Sequence, residues 1–72
     1  MRTFADVIAC WETAAALAAD LGENEGTVRQ WKNRNSIPAA YWPKVIAAAL
    51  KRDFDGITAE LLAAIAQRRR AA

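Results

Sequence analysis

Residues that start and stop helices divide this chain into short segments in which apolar side chains recur at helical spacing. The apolar residues of the first segment fall at positions i, i+3, i+4 and i+7, one face of an α-helix: Phe4, Val7, Ile8 and Trp11. Alanine, the strongest helix former, supplies 18 of the 72 residues, against three glycines and two prolines. No stretch alternates apolar and polar residues as a half-buried strand does. The sequence therefore predicts an all-α fold.

Capping residues and helix breakers set the bounds of the predicted helices. N-capping residues precede four segments: Thr3, Thr13, Asn24 and Thr58. Gly22 is suited to the left-handed residue that ends a helix. Pro43 disfavours the helical conformation at Trp42, so we expect a short turn over 38–42 before a regular helix from 43 to 52, with one kinked helix as the alternative. The five predicted helices span residues 4–11, 14–21, 25–34, 38–52 and 59–69 of one domain, 1–72.

Composition excludes several classes of function. The chain has no histidine and one cysteine, Cys10, which excludes an intramolecular disulfide, zinc sites of histidine or multiple cysteines, and catalytic Ser-His-Asp or Cys-His groups. No nucleophile stands at a recognisable spacing from a base, so we expect no enzyme activity, metal, cofactor or small-molecule ligand. The absence of a signal-peptide pattern and of an apolar run of about 18 residues leads us to expect a cytoplasmic protein without membrane contact.

Charge is distributed unevenly along the chain. Residues 1–25 carry one basic and five acidic residues, a net charge of −4, and residues 53–72 balance three acids against Arg68, Arg69 and Arg70. The middle segment, 26–52, has no acid and six basic residues, a net charge of +6: Arg29, Lys32, Arg34, Lys44, Lys51 and Arg52. Such a segment suits a polyanion, although a window of this length can also drift by a few charges.

A very short turn around Gly22-Glu23-Asn24 joins the second and third predicted helices. Ala18 leaves room for the two helices to cross steeply, and Gly22 permits the positive φ that reverses the chain. An apolar wedge fixes the crossing: Leu17, Leu21, Val28 and Trp31. This spacing is that of a helix-turn-helix unit, and it resembles the phage-repressor and Cro-like (XRE-type) DNA-binding domains.

The resemblance continues beyond the motif and covers residues 4–66. The segment Ile37-Pro38-Ala39-Ala40-Tyr41-Trp42 looks like the I-P-x-x-Y-W signature of a subgroup of these domains. One departure is Glu23, where such motifs usually have an apolar residue in the turn. The resemblance implies a compact five-helix, lambda-repressor-like domain with its helix-turn-helix at helices 2 and 3.

The implied function is a sequence-specific transcription regulator that binds double-stranded DNA. A bacterial or phage-encoded homodimer is implied, associated with the nucleoid when bound, with half-sites roughly 34 Å apart. Two other interpretations stay open, a protein-interaction module on the same scaffold and a non-specific architectural DNA binder. Helix 5 is a candidate dimer surface through Leu61, Leu62 and Ile65, unless these residues complete the core.

The third helix carries the candidate base-reading residues. At 100° per residue, Val28 and Trp31 define its buried side, and the opposite side carries residues whose types read base edges in the major groove. Glu25 flanks this side and either accepts from a cytosine amine or favours the helix N-terminus by its charge. The full set is Glu25, Gly26, Arg29, Gln30 and Asn33.

Phosphate contacts are expected from the starts of helices 2 and 3 and from polar side chains around them. The candidates are Thr13, Asn24, Thr27, Lys32, Arg34, Asn35, Ser36 and Lys44. The three tryptophans are predicted to be core residues, with Tyr41 or Trp42 partly exposed. Cys10 is predicted to be a half-buried filler. Arg68, Arg69 and Arg70 are predicted to form a solvated tail, or alternatively to add a phosphate contact.

Overall fold

In the computed structural model, the backbone is described for residues 1–71 and the side chains for residues 1–69. Within this range the chain forms α1 (Phe4–Ala9), α2 (Ala14–Leu21), α3 (Glu25–Arg34), α4 (Trp42–Lys51) and α5 (Ala59–Ala71), with a 3-10 turn at Ala39–Tyr41. No β-strand occurs among residues 1–71. The Cα radius of gyration is 11.1 Å, and about 11 Å is expected of a compact chain this long. The predicted all-α class with five helices is confirmed.

The first helix begins with a capping box, as its sequence predicts. The Thr3 hydroxyl accepts the backbone N–H of Asp6 at 3.1 Å, and the Asp6 carboxylate accepts the N–H of Thr3 at 3.2 Å. The N–H of Arg2 also donates to this carboxylate, at 2.9 Å. These hydrogen bonds, with that from Arg2 as the largest contribution, lower the pKa of Asp6.

The end of α1 differs from the predicted bound at residue 11, because the helix stops at Ala9. The N–H groups of Trp11 and Glu12 bond to carbonyls three residues back, which tightens the chain into a turn. Glu12 then adopts a left-handed φ of 64°, and Thr13 is extended. Thr13 needs this extended conformation to cap α2, where its hydroxyl accepts the N–H of Ala16 at 3.1 Å.

The turn between α2 and α3 matches the predicted one. Gly22 ends α2 with φ of 70°, and the N–H of Glu23 bonds to the carbonyl of Ala18 at 2.8 Å. Asn24 caps α3 through its side-chain oxygen, which accepts the N–H of Gly26 at 2.8 Å. The side chain of Ala18 is buried, as is the predicted apolar wedge: Leu17, Leu21, Val28 and Trp31.

The fourth helix begins one residue before Pro43, which corrects the expectation for Trp42. Trp42 has helical angles, φ −54° and ψ −46°, although a proline follows it. Its indole N–H donates to the carbonyl of Ile37 at 2.8 Å, and its ring packs against Phe4 with centroids 6.2 Å apart. These tertiary contacts outweigh the local bias. The predicted division into a short turn and a regular helix is confirmed, with the helix over Trp42–Lys51 rather than 43–52.

The last helix completes the core. Leu62 and Ile65 are buried, and Leu61 is half-buried against the core. Leu62 and Ile65 therefore cannot form a dimer surface, which leaves the alternative that they belong to the core. Trp11 and Trp31 are also buried, as predicted, whereas Tyr41, Trp42 and Cys10 are half-buried and packed against the core.

Two of the C-terminal arginines bind the folded domain instead of forming a solvated tail. A guanidinium nitrogen of Arg68 donates to the carbonyl of Arg2 at 3.0 Å, and one of Arg69 donates to the carbonyl of Asn35. Guanidinium groups donate readily to backbone carbonyls, so the two arginines hold α5 to the start of α1 and the end of α3. The Arg70 side chain, included in the same prediction, lies outside the described residues.

Asp20 connects three parts of the fold in a way that the sequence pattern did not predict. Its carboxylate accepts the indole N–H of Trp11 at 2.9 Å and forms an ion pair with Arg52, whose Nη2 lies 3.0 Å from Oδ1. The Arg52 hydrogen bond and then that of Trp11 lower the pKa of Asp20.

The ring of Trp11 meets that of Phe54 edge to face, with centroids 5.0 Å apart.

Across residues 1–71, none of the helices combines the length and the hydrophobicity that crossing a bilayer requires.

Candidate nucleic-acid interface

The outward side of α3 forms a ridge of exposed polar residues. Val28 and Trp31 are buried on the opposite side, which confirms the predicted buried side of this helix. Four predicted base-reading residues are exposed along the ridge: Gly26, Arg29, Gln30 and Asn33. The fifth, Glu25, is half-buried at its N-terminal end. The side chains that the sequence predicts to read bases therefore lie together on one accessible surface.

Glu25 and Arg29 form an ion pair on this ridge, one helical turn apart. The Arg29 side chain is 67% exposed and the Glu25 side chain 40% exposed. An exposed pair at this spacing contributes only about 0.3–0.5 kcal/mol, so it biases the position of the guanidinium without fixing it. The pair was not predicted, although its i, i+4 spacing could have indicated it.

A cleft of about 320 Å³ lies between the start of α2 and the ridge. Its α2 side contains Thr13, Ala14 and Ala15, at the end of α2 where backbone N–H groups are unpaired within the helix. The α3 side consists of charged and amide side chains: Glu25, Arg29, Lys32 and Asn33. The structure thus places the first turn of α2 beside the predicted base-reading residues, with an open cleft between them.

A stack of side chains flanks α3 on the side of the 3-10 turn. The ring of Tyr41 packs against Trp31 with centroids 4.8 Å apart, and Lys44 Nζ lies 5.7 Å from the centroid of the Tyr41 ring. The cation is attracted to the face of the ring, which favours a position of the Lys44 ammonium group beside Tyr41. Lys44 is exposed in this position.

Glu23, the departure from the usual apolar turn residue, interacts electrostatically with Tyr41. The Glu23 carboxylate raises the pKa of the Tyr41 hydroxyl, first by repelling the phenolate charge and then by hydrogen bonding to the neutral hydroxyl. An acid in the turn therefore acts on the residue that packs on Trp31. The sequence pattern contained no sign of this contact.

The structure gives a reason for glycine at position 26 that the sequence pattern does not show. A Cβ at this position would lie 3.2 Å from the side-chain oxygen of Asn24, the oxygen that caps α3. Such a distance is tight for a methyl group against an oxygen that must stay in hydrogen-bonding position. Glycine therefore lets the cap close, at the first turn of the helix that carries the ridge.

Three of the predicted phosphate-contacting residues use a side-chain oxygen within the protein. Thr13 and Asn24 are caps, and the Oδ1 of Asn35 accepts the backbone N–H of Ala5 at 2.9 Å. A carboxamide that accepts through oxygen keeps its NH₂ donors, and a hydroxyl keeps its hydrogen, so a phosphate contact remains chemically available.

The other predicted phosphate-contacting residues lie on α3 or come after it in the sequence. Lys32, Arg34 and Lys44 are exposed, and Thr27 and Ser36 are half-buried. Not every basic residue of the segment 26–52 lies near the ridge of α3. Arg52 pairs with Asp20 at the end of α4. Over the described part of the chain, no group of three potential metal-binding acid or cysteine side chains comes together.

In comparisons with known proteins, no protein-family model, curated protein or solved structure matches this chain. The function must therefore be argued from the interface itself.

Proposed function

We propose that this protein is a transcription regulator that binds double-stranded DNA sequence-specifically, with α3 lying in the major groove. The proposal rests on the two-sided character of α3, which buries Val28 and Trp31 and exposes arginine, glutamine and asparagine along its outer ridge. Arginine makes paired hydrogen bonds to guanine, and asparagine and glutamine make them to adenine. The major groove is wide enough to admit an α-helix.

The connection of α2 to α3 supports a helix-turn-helix unit of the phage-repressor and Cro-like (XRE-type) kind. The supporting features are the buried Ala18 between the helices, the left-handed Gly22 and the capping Asn24. In such units the second helix reads bases while the first contacts the DNA backbone. The cleft beside the first turn of α2 is where we propose that a phosphate lies. On this proposal the whole domain has the lambda-repressor-like arrangement.

The regulator binds as a homodimer on this proposal. Because α3 has ten residues, it extends only about 15 Å and contacts few base pairs. Two copies on half-sites roughly 34 Å apart would read a longer, two-fold symmetric sequence. The proposed setting is the cytoplasm of a bacterium, with DNA as the ligand and no catalytic step.

The experiment that tests this function is selection of bound duplexes from a random DNA pool, followed by affinity measurements at two salt concentrations. Enrichment of one motif, with two-fold symmetry, is the expected result. Gln30→Ala should relax the preference at one base pair of that motif. Gln67→Ala, which removes the same side chain from an exposed position on α5, should leave the motif unchanged.

The two other functions give different results in this experiment. An architectural DNA binder would enrich no motif but would show a steep loss of affinity with salt. A protein-interaction module would show no salt-dependent DNA affinity at all. Either result would contradict the proposed function.

A further inference from the structure

The ion pair between Glu25 and Arg29 lies where the ridge meets the cleft, among the residues that the proposed function assigns to base reading. Nη2 of Arg29 forms the ion pair with Oε2 of Glu25. The Glu25 side chain is the less exposed partner, and the guanidinium of Arg29 extends further from the helix into solvent. Sequence reasoning considered the two residues separately, whereas the structure joins them.

The guanidinium of Arg29 keeps enough free N–H donors to bind a base while it is paired with Glu25. A guanidinium has five N–H donors, and a single contact to one carboxylate oxygen uses one of them. The others include a pair with the geometry for O6 and N7 of guanine. An arginine biased towards one rotamer also loses less conformational freedom on binding than an unpaired one.

The negative charge of Glu25 opposes a competing contact. A mobile arginine beside DNA can bind a phosphate, which carries no sequence information. The carboxylate of Glu25 already pairs with the guanidinium of Arg29, so it competes with a phosphate for this arginine. A phosphate in the cleft is then left to the backbone N–H groups at the start of α2 and to Lys32. Both effects direct Arg29 towards base edges.

We infer that Glu25 is a positioning residue that biases Arg29 towards the orientation from which it reads a guanine, so that the pair strengthens a guanine preference at one base pair. The inference rests on the proposed function and specifies one base of the DNA sequence that the protein binds. Glu25 itself acts through Arg29 and through its charge.

The test repeats the selection from random duplexes with Arg29→Ala, Glu25→Ala and a matched control, Glu60→Ala. Glu60 is also an acid in the first turn of a helix, on α5. The wild-type motif should contain a fixed guanine whose preference Arg29→Ala removes. Glu25→Ala should weaken the same guanine preference about twofold, while its affinity for unrelated DNA rises because an acid has been removed. Glu60→Ala should leave the motif unchanged.

Circular dichroism establishes that each variant is folded, and Glu25→Gln provides a second substitution. Glutamine keeps an oxygen that can accept from Arg29, so this variant should retain more of the guanine preference than Glu25→Ala. A wild-type motif without guanine, or a Glu25→Ala variant that binds all sequences more tightly with its guanine preference intact, would overturn the inference and leave the proposed function standing. A wild-type protein that enriches no motif would instead contradict the proposed function itself.

Discussion

The side-chain oxygen of Asn35 accepts the backbone N–H of Ala5 at 2.9 Å, which ties the C-terminal end of α3 to the first turn of α1. Asn35 also ends α3 with a left-handed φ of 52°, and its carbonyl accepts a hydrogen bond from Arg69. The end of the proposed recognition helix is therefore fixed by two other helices.

Substitutions of Asn35 separate its backbone conformation from its hydrogen bond. Asn35→Ala loses the bond to Ala5, about 1 kcal/mol, and adds the strain of a left-handed alanine, roughly 1–2 kcal/mol relative to a residue that tolerates it. Asn35→Gly loses the bond without that strain, so it should destabilise the fold less. Urea unfolding measures both free energies. Equal losses in the two variants would show that the backbone conformation at residue 35 carries no cost.

The pH dependence of stability should reveal the contacts of Asp20. Because Arg52 and Trp11 lower the pKa of this carboxyl from its ordinary value of 3.8, its ionised form stabilises the fold above that value. This stabilisation is lost as pH falls through the folded-state pKa. Asp20→Asn should therefore lower the free energy of unfolding at neutral pH, and its difference from wild type should shrink in acid below about pH 4. A difference that stays constant down to strongly acidic pH in urea titrations would contradict this account.

The cap of α3 makes the effect of Gly26→Ala depend on Asn24. Alanine gains about 1 kcal/mol in helix propensity, but its Cβ disturbs an N-cap whose loss costs about 1 kcal/mol. The free energy of unfolding should therefore change little in the wild-type background. In an Asn24→Gly background the capping oxygen is absent, and Gly26→Ala should stabilise the fold by about 1 kcal/mol. Equal effects in the two backgrounds, measured by urea unfolding, would exclude the proposed conflict.

The salt dependence of DNA binding should distinguish lysines near the ridge from lysines elsewhere. Lys32 lines the cleft between α2 and α3, whereas Lys51 is exposed at the end of α4. Lys32→Ala should weaken binding to all sequences and reduce the slope of log affinity against log salt by about 1. Lys51→Ala should leave that slope unchanged. The same reduction in both variants would mean that the charge acts without a defined contact.

Local patterns predicted much of the fold. Helical spacing identified Phe4, Val7 and Ile8 as core residues, and the caps at Thr13 and Asn24 gave the starts of α2 and α3 correctly. These features depend on residues a few positions apart, so the sequence contains them directly.

The remaining features depend on contacts between distant parts of the chain. The bond from Arg68 to Arg2 and the pair of Arg52 with Asp20 join residues far apart in sequence. Helical spacing cannot predict such contacts. The helical angles of Trp42 follow from its tertiary contacts and contradict its local preference. Within the candidate interface, the exposed ridge was predictable from helical spacing, whereas the hydroxyl partner of Glu23 was not.

We propose that α3, with the first turn of α2 beside it, forms the DNA-binding surface. The most direct measurement is an NMR titration of the protein with its selected duplex, following backbone amide signals. The largest changes are expected in residues 13–16 and 24–34 and at Lys44, with small changes along Ala59–Ala71. Changes concentrated in α5, with the amides of Arg29, Gln30 and Asn33 unaffected, would contradict the account.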